Sequence, residues 1–425
     1  TLFLEGQKVL EVLIIGAGAA GLSAARHLQK KGVSFKIIEA SHRVGGRAWT
    51  DQQMLGIPVD MGCSWVSGAD KNSLTKVGRN AGLTMVDHTD APEALYVGDR
   101  RATDAEWDQF EKARRKIDKR LSKAGKKISA LPASEVIPKN LPFSATAQSW
   151  LGPMDYGVDF KDLSTVDHWE QTDDQPSYLV KEGFGTLVAT LAGGLDVSLN
   201  TKVSRIDWSG DGVKVETSQG TLRAARVLIT VSTGVLASGD IAFQPALPVE
   251  KQEAIHNVPM GLLVKVPLLF DGARMGFSEG EWVTYKVDED QAGKACYFIA
   301  WPCGHDYLFG NIGGDLGWEL SQAGSDETVD YAMGALTSML GNDVRKHFVR
   351  GIMTDWAINP LTYGAYSVQR PGTTGARKAL GRPVADRIFF AGEAVGGARA
   401  ALANGAYDSG KKVAKKMAKK ALTAR

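Results

Sequence analysis

The sequence has few of the residues that mark disulfide-stabilised or metal-binding proteins. Its three cysteines, Cys63, Cys296 and Cys303, are widely spaced and form no CxxC pair, which argues against a disulfide framework and a structural zinc site. The seven histidines show no metal-ligand spacing, so we expect no metal. This cysteine usage fits a reducing compartment, and a cytoplasmic location is expected.

Membrane and targeting signals are also lacking. No apolar run reaches the roughly 18 residues of a membrane-spanning helix, so we expect no transmembrane segment. The first residues do not show the basic and then apolar layout of a signal peptide. The chain begins at Thr1 rather than Met, so removal of an upstream leader or tag stays open.

The sequence has no large excess of positive or negative charge. The 50 Lys and Arg residues against 48 Asp and Glu residues give a net charge of +2. This balance gives no bulk electrostatic reason to expect a nucleic acid or a membrane surface as partner. Residues 100–127 are interpreted as an amphipathic helix with a solvated charged face. The lysine pairs of residues 411–425 fit the outer face of a packed final helix, with contact to an anionic surface as the alternative.

Glycine, in contrast, is abundant, with 48 of 425 residues, many of them in clustered loops. The chain length suggests two or three domains of about 150 residues each. Residues 9–15 predict a buried strand, residues 21–31 a helix and residues 33–38 a second strand, which together make a βαβ unit. Residues 197–230 alternate apolar and polar side chains as hairpins do, and residues 388–391 predict another buried strand.

A dinucleotide-binding motif lies inside this βαβ unit. Residues 16–21 read GAGAAG, so Gly16, Gly18 and Gly21 stand between a predicted strand and a predicted helix, where backbone N–H groups can approach a pyrophosphate. Ala19 and Ala20 open the helix. Glu39 ends the second strand 18 positions after Gly21, where a carboxylate can accept hydrogen bonds from a ribose diol.

Two arginines and two glycines follow the ribose carboxylate. Arg43, Gly45, Gly46 and Arg47 supply cations and flexible backbone along a long dinucleotide, as a pyrophosphate that joins AMP to a flavin requires. With Glu39, they resemble the flavin-containing amine oxidase superfamily, which includes monoamine oxidases, polyamine oxidases, L-amino-acid oxidases and flavin histone demethylases. The chain resembles a bacterial-type soluble member of it.

Further motifs carry the same resemblance along the chain. Residues 60–65 (DMGCSW) resemble the family's segment that lines the flavin, and residues 183–187 (GFGTL) resemble its return to the cofactor domain. Residues 390–393 and 404–410 resemble its closing FAD motif. The resemblance implies further cofactor contacts at Ala40, Gly62, Cys63, Ser64, Trp65, Val203, Trp356, Gly392, Glu393, Ala401, Leu402 and Ala406. For Cys63, packing of a small side chain is the alternative.

The resemblance also implies catalytic residues. Lys265 lies in an apolar run and matches the family lysine near flavin N5, with a strand lysine that reaches solvent as the alternative. Trp356 matches the residue that flanks the flavin ring, and Tyr366 matches one wall of the aromatic cage for the amine. Ala365 stands where monoamine oxidases carry the cysteine that tethers FAD, so non-covalent FAD is expected. Leu402 stands where the second cage tyrosine would be.

The implied fold is α/β, with a discontinuous Rossmann-like FAD-binding domain and an inserted α+β substrate domain. The FAD-binding domain is expected to span 1–90, 190–245 and 375–425, and the substrate domain 91–189 and 246–374, with a mixed sheet. Asp173 and Asp174 are candidates for attracting a cationic amine, or are ordinary loop acids.

The implied activity is FAD-dependent oxidation of an amine C–N bond to an imine and then to an aldehyde or ketone, with O₂ reduced to H₂O₂. A desaturase or protoporphyrinogen-type oxidase acting on C–C bonds is one alternative, and a flavoprotein dehydrogenase that passes electrons to a protein partner is another. The expected partners are a small-molecule amine and O₂, without nucleic acid. The amine class and a homodimeric state stay open.

Overall fold

The secondary structure follows from a computed structural model that describes residues 10–128, 130–172 and 175–423. Asp173 and Asp174 lie outside the described residues. The strands are β1 (Leu10–Ile15), β2 (Phe35–Ile38), β3 (Thr50–Asp51), β4 (Val59–Asp60), β5 (Trp65–Ser67), β6 (Met85–Asp87), β7 (Glu93–Val97), β8 (Arg100–Arg101), β9 (Ser177–Val180), β10 (Val197–Ser198), β11 (Val203–Asp207), β12 (Val213–Thr217), β13 (Gly220–Ile229), β14 (Ala242–Gln244), β15 (Met260–Gly261), β16 (Leu263–Phe270), β17 (Trp282–Tyr285), β18 (Tyr297–Ala300), β19 (Tyr307–Gly313), β20 (Phe348–Gly351), β21 (Tyr366–Ser367) and β22 (Ile388–Phe390).

The α-helices are α1 (Ala19–Lys30), α2 (Ser73–Asn80), α3 (Asp104–Lys126), α4 (Ser144–Ser149), α5 (Thr165–Glu170), α6 (Phe184–Ala189), α7 (Thr233–Ser238), α8 (Val249–His256), α9 (Gly314–Ala323), α10 (Ser325–Leu340), α11 (Val344–His347), α12 (Ala376–Leu380) and α13 (Ala403–Thr423).

The chain divides into two compact units. Unit 1 consists of Thr1–Gly46, Val188–His256 and Gly375–Arg425, and unit 2 of Arg47–Leu187 and Asn257–Thr374. Residues 47–90, which the sequence places with the cofactor domain, belong to unit 2. This segment groups with unit 2 because its strands β3 to β6 pair with each other and with β9, and not with the sheet of unit 1. The assignment of each part to cofactor or substrate stays a prediction.

Unit 1 is built on a sheet with the order β10-β2-β1-β13-β12-β11-β14, and β22 also pairs with β13. The pairs β1–β2, β1–β13 and β13–β22 are parallel, so the predicted βαβ unit and the predicted strand at 388–391 are confirmed. Strands β11, β12 and β13 pair antiparallel, which confirms the predicted hairpins.

The final helix packs closely on the first helix of unit 1. A Cβ atom on Gly410 of α13 would lie only 2.0 Å from the carbonyl oxygen of Ala20 in α1. The absence of a side chain at Gly410 therefore lets α13 approach the first turn of α1. Ala414, Met417, Ala418 and Ala421 of α13 are buried, whereas most of its lysines are exposed, as the sequence predicts.

Unit 2 is built on a sheet with the order β20-β16-β19-β18-β17-β7-β8. Its pairs are antiparallel except for β17 with β7, so the predicted mixed sheet is confirmed. Strand β16 is buried along most of its length, including Lys265. Helix α3 lies in this unit and begins with a capping box in which Thr103 and Glu106 bond each other's backbone N–H groups.

Candidate functional site

In unit 1, the loop between β1 and α1 leaves space for a ligand. Gly16 has a φ of +105°, and a Cβ there would lie 2.4 Å from the hydroxyl oxygen of Thr230, so a side chain is excluded. At Gly21 a Cβ would lie 2.0 Å from the carbonyl oxygen of Gly16. At Gly18, however, a Cβ would meet nothing closer than the carbonyl oxygen of Gly45 at 3.8 Å. The loop is tight where it supports the turn and open at its middle glycine.

The first turn of α1 begins at Ala19 and Ala20 without a side-chain cap. Its N–H groups therefore point out of the helix end, where the helix dipole favours an anion. The carbonyl oxygen of Gly18 accepts a hydrogen bond from the N–H of Leu22 and thus belongs to the helix. This open glycine followed by an uncapped helix start fits a dinucleotide pyrophosphate.

The carboxylate of Glu39 binds backbone N–H groups, including one in the predicted nucleotide-binding loop. One carboxylate oxygen accepts a hydrogen bond from the N–H of Ala17 at 2.7 Å, and the other accepts one from the N–H of Ser41 at 2.9 Å. Ala40 follows directly and is half-buried. A carboxylate has about four lone-pair positions, so Glu39 keeps the capacity to accept a ribose hydroxyl.

Arg43 and the diglycine lie against the nucleotide loop. The guanidinium of Arg43 donates to the carbonyl oxygens of Gly46 at 2.8 Å and Val44 at 3.2 Å. The N–H of Gly45 donates to the carbonyl oxygen of Ala17 at 2.9 Å. In the structure Arg43 thus orders the diglycine, a structural role beside the predicted pyrophosphate contact.

The remaining predicted cofactor residues of unit 1 lie on β11 and before α13. Val203 is buried in β11. Gly392 is joined to α13 through Ser409, whose hydroxyl donates to the carbonyl oxygen of Gly392 at 3.0 Å and accepts from its N–H at 2.9 Å. Glu393 is buried, and its carbonyl oxygen accepts from the N–H of Ala401 at 3.3 Å.

The residues that begin α13 are arranged as a helix start. The carbonyl oxygen of Leu402 accepts a hydrogen bond from the N–H of Ala406 at 3.0 Å, so Leu402 stands at the N-terminal end of α13. Leu402 and Ala406 are half-buried. The structure thus places both residues at the positive end of a 21-residue helix, as the predicted closing motif requires.

In unit 2, Lys265 is buried in β16 with only 4% of its surface exposed. Its ammonium group donates to the hydroxyl of Ser64 and to the carbonyl oxygen of Asp60 at 3.2 Å. It also lies 4.7 Å from the ring centre of Phe309 and 5.5 Å from that of Trp65. Lys265 therefore does not reach solvent, and the alternative of a snorkelling strand lysine is wrong.

Burial also weakens the binding of a proton by the amino group of Lys265. Burial lowers the pKa of Lys265 to about 8, although the nearby Asp60 and Cys63 oppose the decrease. Such a group can hold or release a proton at mildly alkaline pH.

Asp60 organises the surroundings of Lys265 through its carboxylate. The two oxygens accept from the N–H of Phe184 at 2.8 Å and the hydroxyl of Thr50 at 2.6 Å. Burial raises the pKa of Asp60, while Lys265 and these hydrogen bonds oppose the rise. The carboxylate thus joins the motif of residues 60–65 to that of residues 183–187, which lie far apart in sequence.

The rest of this segment is held by backbone contacts within unit 2. A Cβ on Gly62 would lie 1.7 Å from the carbonyl oxygen of Arg47, so only glycine fits. The N–H of Cys63 donates to the same oxygen at 3.3 Å. Burial raises the pKa of the Cys63 thiol, which favours the packing interpretation over redox chemistry.

Trp65 stacks on Trp282, with ring centres 5.4 Å apart and an angle of 9° between the ring planes. Its indole N–H points to Nδ1 of His88 at 3.3 Å. Nε2 of His88 lies 2.8 Å from the carbonyl oxygen of Gly280, which accepts its proton and leaves Nδ1 as the acceptor. These contacts fix the ring of Trp65 beside Lys265.

Trp356 and Tyr366 are each fixed by one hydrogen bond. The indole N–H of Trp356 donates to the carbonyl oxygen of Met61 at 2.8 Å. The hydroxyl of Tyr366 donates to the carbonyl oxygen of Met154 at 2.9 Å. Consecutive residues 60 and 61 therefore bind Lys265 and Trp356, which brings two predicted catalytic residues to one short segment. Burial raises the pKa of Tyr366, so its hydroxyl stays protonated.

Arg47 makes a contact that the sequence does not predict. Its guanidinium donates to the carbonyl oxygen of Ala365 at 2.9 Å, within unit 2. Ala365 precedes Tyr366, and its N–H donates to the carbonyl oxygen of Gly261 at 2.9 Å. Arg47 therefore helps to position the segment that carries Tyr366, in addition to its predicted role at the cofactor.

Sequence reasoning missed two neighbours of Lys265. Phe309 lies in the middle of the buried strand β19 and carries no signal that separates it from ordinary core. The carboxylate of Asp60 was part of a recognised motif, but its bonds to residues 183–187 depend on the fold. Across the described ranges, no cluster of His, Cys, Asp or Glu suited to a metal ion occurs, and no helix is long and apolar enough to cross a membrane.

Comparison with known proteins gives similar sequences over most of the chain. The "Lysine-specific histone demethylase 1 homolog 3" of Arabidopsis thaliana is 29% identical over 90% of this chain and 28% of its own length. "Polyamine oxidase 2" of the same organism is 28% identical over 94% of this chain and 86% of its own. The chain spans between 28% and 53% of the length of the first histone demethylases that it matches.

Solved structures confirm the expected fold. "Cyclohexylamine Oxidase from Brevibacterium oxydans IH-35A" superposes with a TM-score of 0.80 at 22% identity and covers 97% of this chain and 99% of its own. The α/β fold with a Rossmann-like part is therefore shared.

Residues 19–151 and 156–418 match the family described as "Flavin containing amine oxidoreductase", which is more than half of the chain. Together with the open dinucleotide-binding loop of unit 1, this match shows that the chain belongs to the family of flavin-containing amine oxidoreductases and that its cofactor is FAD.

Proposed function

We propose that this protein oxidises the C–N bond of a small amine to an imine, which water converts to an aldehyde or ketone, while O₂ is reduced to H₂O₂. For a primary amine the balance is one amine, one O₂ and one water consumed, and one carbonyl product, one ammonia and one H₂O₂ formed. FAD, when bound, supplies a two-electron acceptor for the equivalent of a hydride from the carbon that bears the nitrogen.

The observation that carries the proposal is the environment of Lys265. A lysine that is buried between the rings of Trp65 and Phe309, with a pKa of about 8, is costly to keep unless it acts in the chemistry. We propose that its amino group acts near the reactive position of the flavin, where it holds a water molecule or moves a proton.

The aromatic residues fit the recognition of an amine. Tyr366 and Trp356 have their polar atoms bound to main-chain carbonyls, which fixes the orientation of their rings. Aromatic faces attract a cation or an amine and exclude water from the reacting carbon. We further propose that FAD is held without a covalent bond, since Ala365 offers no nucleophile.

These roles complete the proposal for the site. The cofactor contacts from Gly16 to Arg47, those of residues 62–65 and those before α13 remain part of it. A cytoplasmic location and a small-molecule amine as partner also belong to this proposal, whereas a homodimeric state stays open.

The test is an assay of O₂ uptake and H₂O₂ formation by the FAD-loaded protein. The panel contains primary, secondary and cyclic amines, polyamines, amino acids and donors with an oxidisable C–C bond. We expect one amine class to be oxidised with equal amounts of O₂ consumed and H₂O₂ formed. The relatives act on different amines, to judge by their names, so the panel identifies the substrate class.

Lys265→Met is expected to lower turnover by about a hundredfold, the lower range for loss of a proton-transfer group, with FAD still bound. Lys119→Met, on the exposed face of α3, serves as the control. Oxidation of the C–C donors alone, or turnover only with an artificial electron acceptor, would contradict the proposal. Wild-type rates in Lys265→Met would remove this lysine from the active site.

A further inference from the structure

The exposed face of helix α3 carries a continuous strip of positive charge. The basic strip consists of eight exposed side chains: Lys112, Arg115, Lys116, Lys119, Arg120, Lys123, Lys126 and Lys127. At 100° per residue they fall within an arc of about 140°. The strip extends for about 22 Å along the helix axis at 1.5 Å per residue. The buried residues of α3, such as Phe110 and Ile117, lie on the opposite side.

Helix α3 contains five acidic residues, fewer than the eight basic residues of the strip, and one of the five, Asp108, lies on the same face one turn before Lys112. Glu106 is paired with Arg100 at 2.8 Å, Glu111 with Arg114 at 2.9 Å, and Asp118 with His168 at 3.0 Å. Within the described ranges, no side chain of the basic strip forms an ion pair. A chain whose net charge is only +2 thus carries an excess of positive charge on this face of α3, as it also does on the lysine-rich exposed face of α13.

Three large apolar side chains are exposed at the C-terminal end of the strip. Ile128 is 69% exposed, Trp169 46% and Leu131 38%. Eight large apolar residues are exposed in the described part of the chain, and three of them lie here. Trp169 packs by its Cβ against Gly125, and its ring lies 5.8 Å from the ammonium of Lys126. We call these three residues the apolar cluster.

Backbone hydrogen bonds keep the apolar cluster together. The N–H of Ile128 donates to the carbonyl oxygen of Gly125 at 2.9 Å. The N–H of Thr165, in the helix that carries Trp169, donates to the carbonyl oxygen of Leu131 at 3.1 Å. The three residues therefore lie in neighbouring segments, where the end of α3 meets α5.

Ile128 occupies a backbone position that does not favour it. Its φ is +57°, in the left-handed region where helices usually end with glycine or asparagine. A β-branched residue is strained there, and its exposed side chain contributes little to the core. Neither the backbone conformation nor packing in the core accounts for an isoleucine at this position.

We propose that the basic strip and the apolar cluster dock the protein on a bilayer surface rich in anionic phospholipid. Lipid phosphates match a strip of Lys and Arg, and Trp and Ile side chains insert at the boundary between headgroups and acyl chains. A nucleic-acid backbone would match the charge but not the apolar cluster. This docking is independent of the proposed amine oxidation.

The test is co-sedimentation of the FAD-loaded full chain with vesicles. Phosphatidylcholine vesicles containing phosphatidylglycerol are expected to bind the protein, with affinity falling as salt rises, whereas pure phosphatidylcholine vesicles are not. Each basic residue near an anionic surface contributes about fivefold in affinity. Lys112→Glu/Lys116→Glu/Lys119→Glu is therefore expected to weaken binding by on the order of a hundredfold or more.

The matched control is Lys412→Glu/Lys416→Glu/Lys419→Glu, which changes the same charge at the same spacing on the exposed face of α13. It is expected to bind within a few fold of wild type. Ile128→Asn is expected to weaken vesicle binding while the protein resists urea as well as or better than wild type, because asparagine tolerates the left-handed backbone.

Three results would overturn the proposal. Equal loss of binding in the α3 and α13 variants would show a general effect of charge. Binding of wild type to pure phosphatidylcholine at the same affinity would show that the basic strip has no role. Binding to duplex DNA or RNA that depends on α3, without binding to anionic vesicles, would assign the surface to nucleic acid.

Discussion

Replacement of Lys265 by methionine is expected to change the stability of the protein by an amount that depends on pH. Burial lowers the pKa of Lys265 from 10.5 to about 8. At about 1.4 kcal/mol per unit, this shift corresponds to about 3 kcal/mol of differential interaction between the charged and neutral forms. Wild type bears this cost in full below pH 8, where Lys265 is charged in the folded state.

The direction of the pH effect follows from proton binding. Between pH 8 and 10.5 the unfolded chain binds a proton at Lys265 that the folded chain has lost, so the stability of wild type rises with pH in this window. The Met variant lacks this dependence. Its stability relative to wild type should therefore be highest at or below pH 8 and fall by about 3 kcal/mol by pH 10.5.

The assay is urea denaturation of both proteins with saturating FAD at several pH values between 7 and 11. The absolute difference also contains the loss of the bonds to Ser64 and to the carbonyl oxygen of Asp60. The loss of these bonds contributes equally at every pH at which Lys265 keeps one protonation state. The change of the stability difference with pH is therefore the quantity that reports on the titration of Lys265. Lys119→Met is the exposed control and should show no such trend. A difference between Lys265→Met and wild type that stays constant across the window would refute the assignment of a buried, titrating lysine.

Two further predictions concern unit 1. Gly18→Leu should abolish FAD binding, because the added side chain fills the space of the ligand. The circular dichroism spectrum should stay that of wild type, because a Cβ at Gly18 meets no atom closer than 3.8 Å. Full FAD occupancy in this variant would contradict the assignment of this loop as the dinucleotide site. Lys251→Met should destabilise the protein in urea by about 1–3 kcal/mol at about pH 9, above the pKa of about 7 to which burial lowers Lys251, because the amine donates to the carbonyl oxygens of Ala379 at 2.8 Å, Arg382 at 2.7 Å and Leu380, and Met leaves these oxygens unpaired. The exposed Lys378→Met on α12 is its control, and equal stability of the two variants would contradict this role.

Local patterns in the sequence predict much of the secondary structure. The apolar runs and glycines around Gly16 predict β1, α1 and β2, and the periodicity of residues 100–127 predicts α3, because these features depend on neighbours a few positions away. The strand that carries Lys265 is expected from the family resemblance, and its apolar run fits a buried strand.

Contacts between distant segments are not visible in such patterns. The hydrogen bond from Lys265 to Ser64 joins residues that are 201 positions apart. The contact of Arg47 with Ala365 spans 318 positions. No local periodicity encodes these pairs, so the motif assignments give the residue types at the site but not the bonds between them.

The division of the chain was the least predictable feature. Residues 47–90 follow the nucleotide motif directly in sequence, which suggests that they belong with it. Their strands instead pair within unit 2, and the side chain of Asp60 bonds to Phe184 and Thr50 there. Membership of a compact unit depends on such long-range contacts rather than on sequence order.

The most direct test of the account is an anaerobic spectral titration of the purified, FAD-loaded protein with the amine panel, followed by readmission of air. We expect one amine class to bleach the yellow flavin absorbance, and air to restore it with formation of H₂O₂. If no amine bleaches the flavin, whereas a donor with an oxidisable C–C bond does, the assignment of amine oxidation is contradicted.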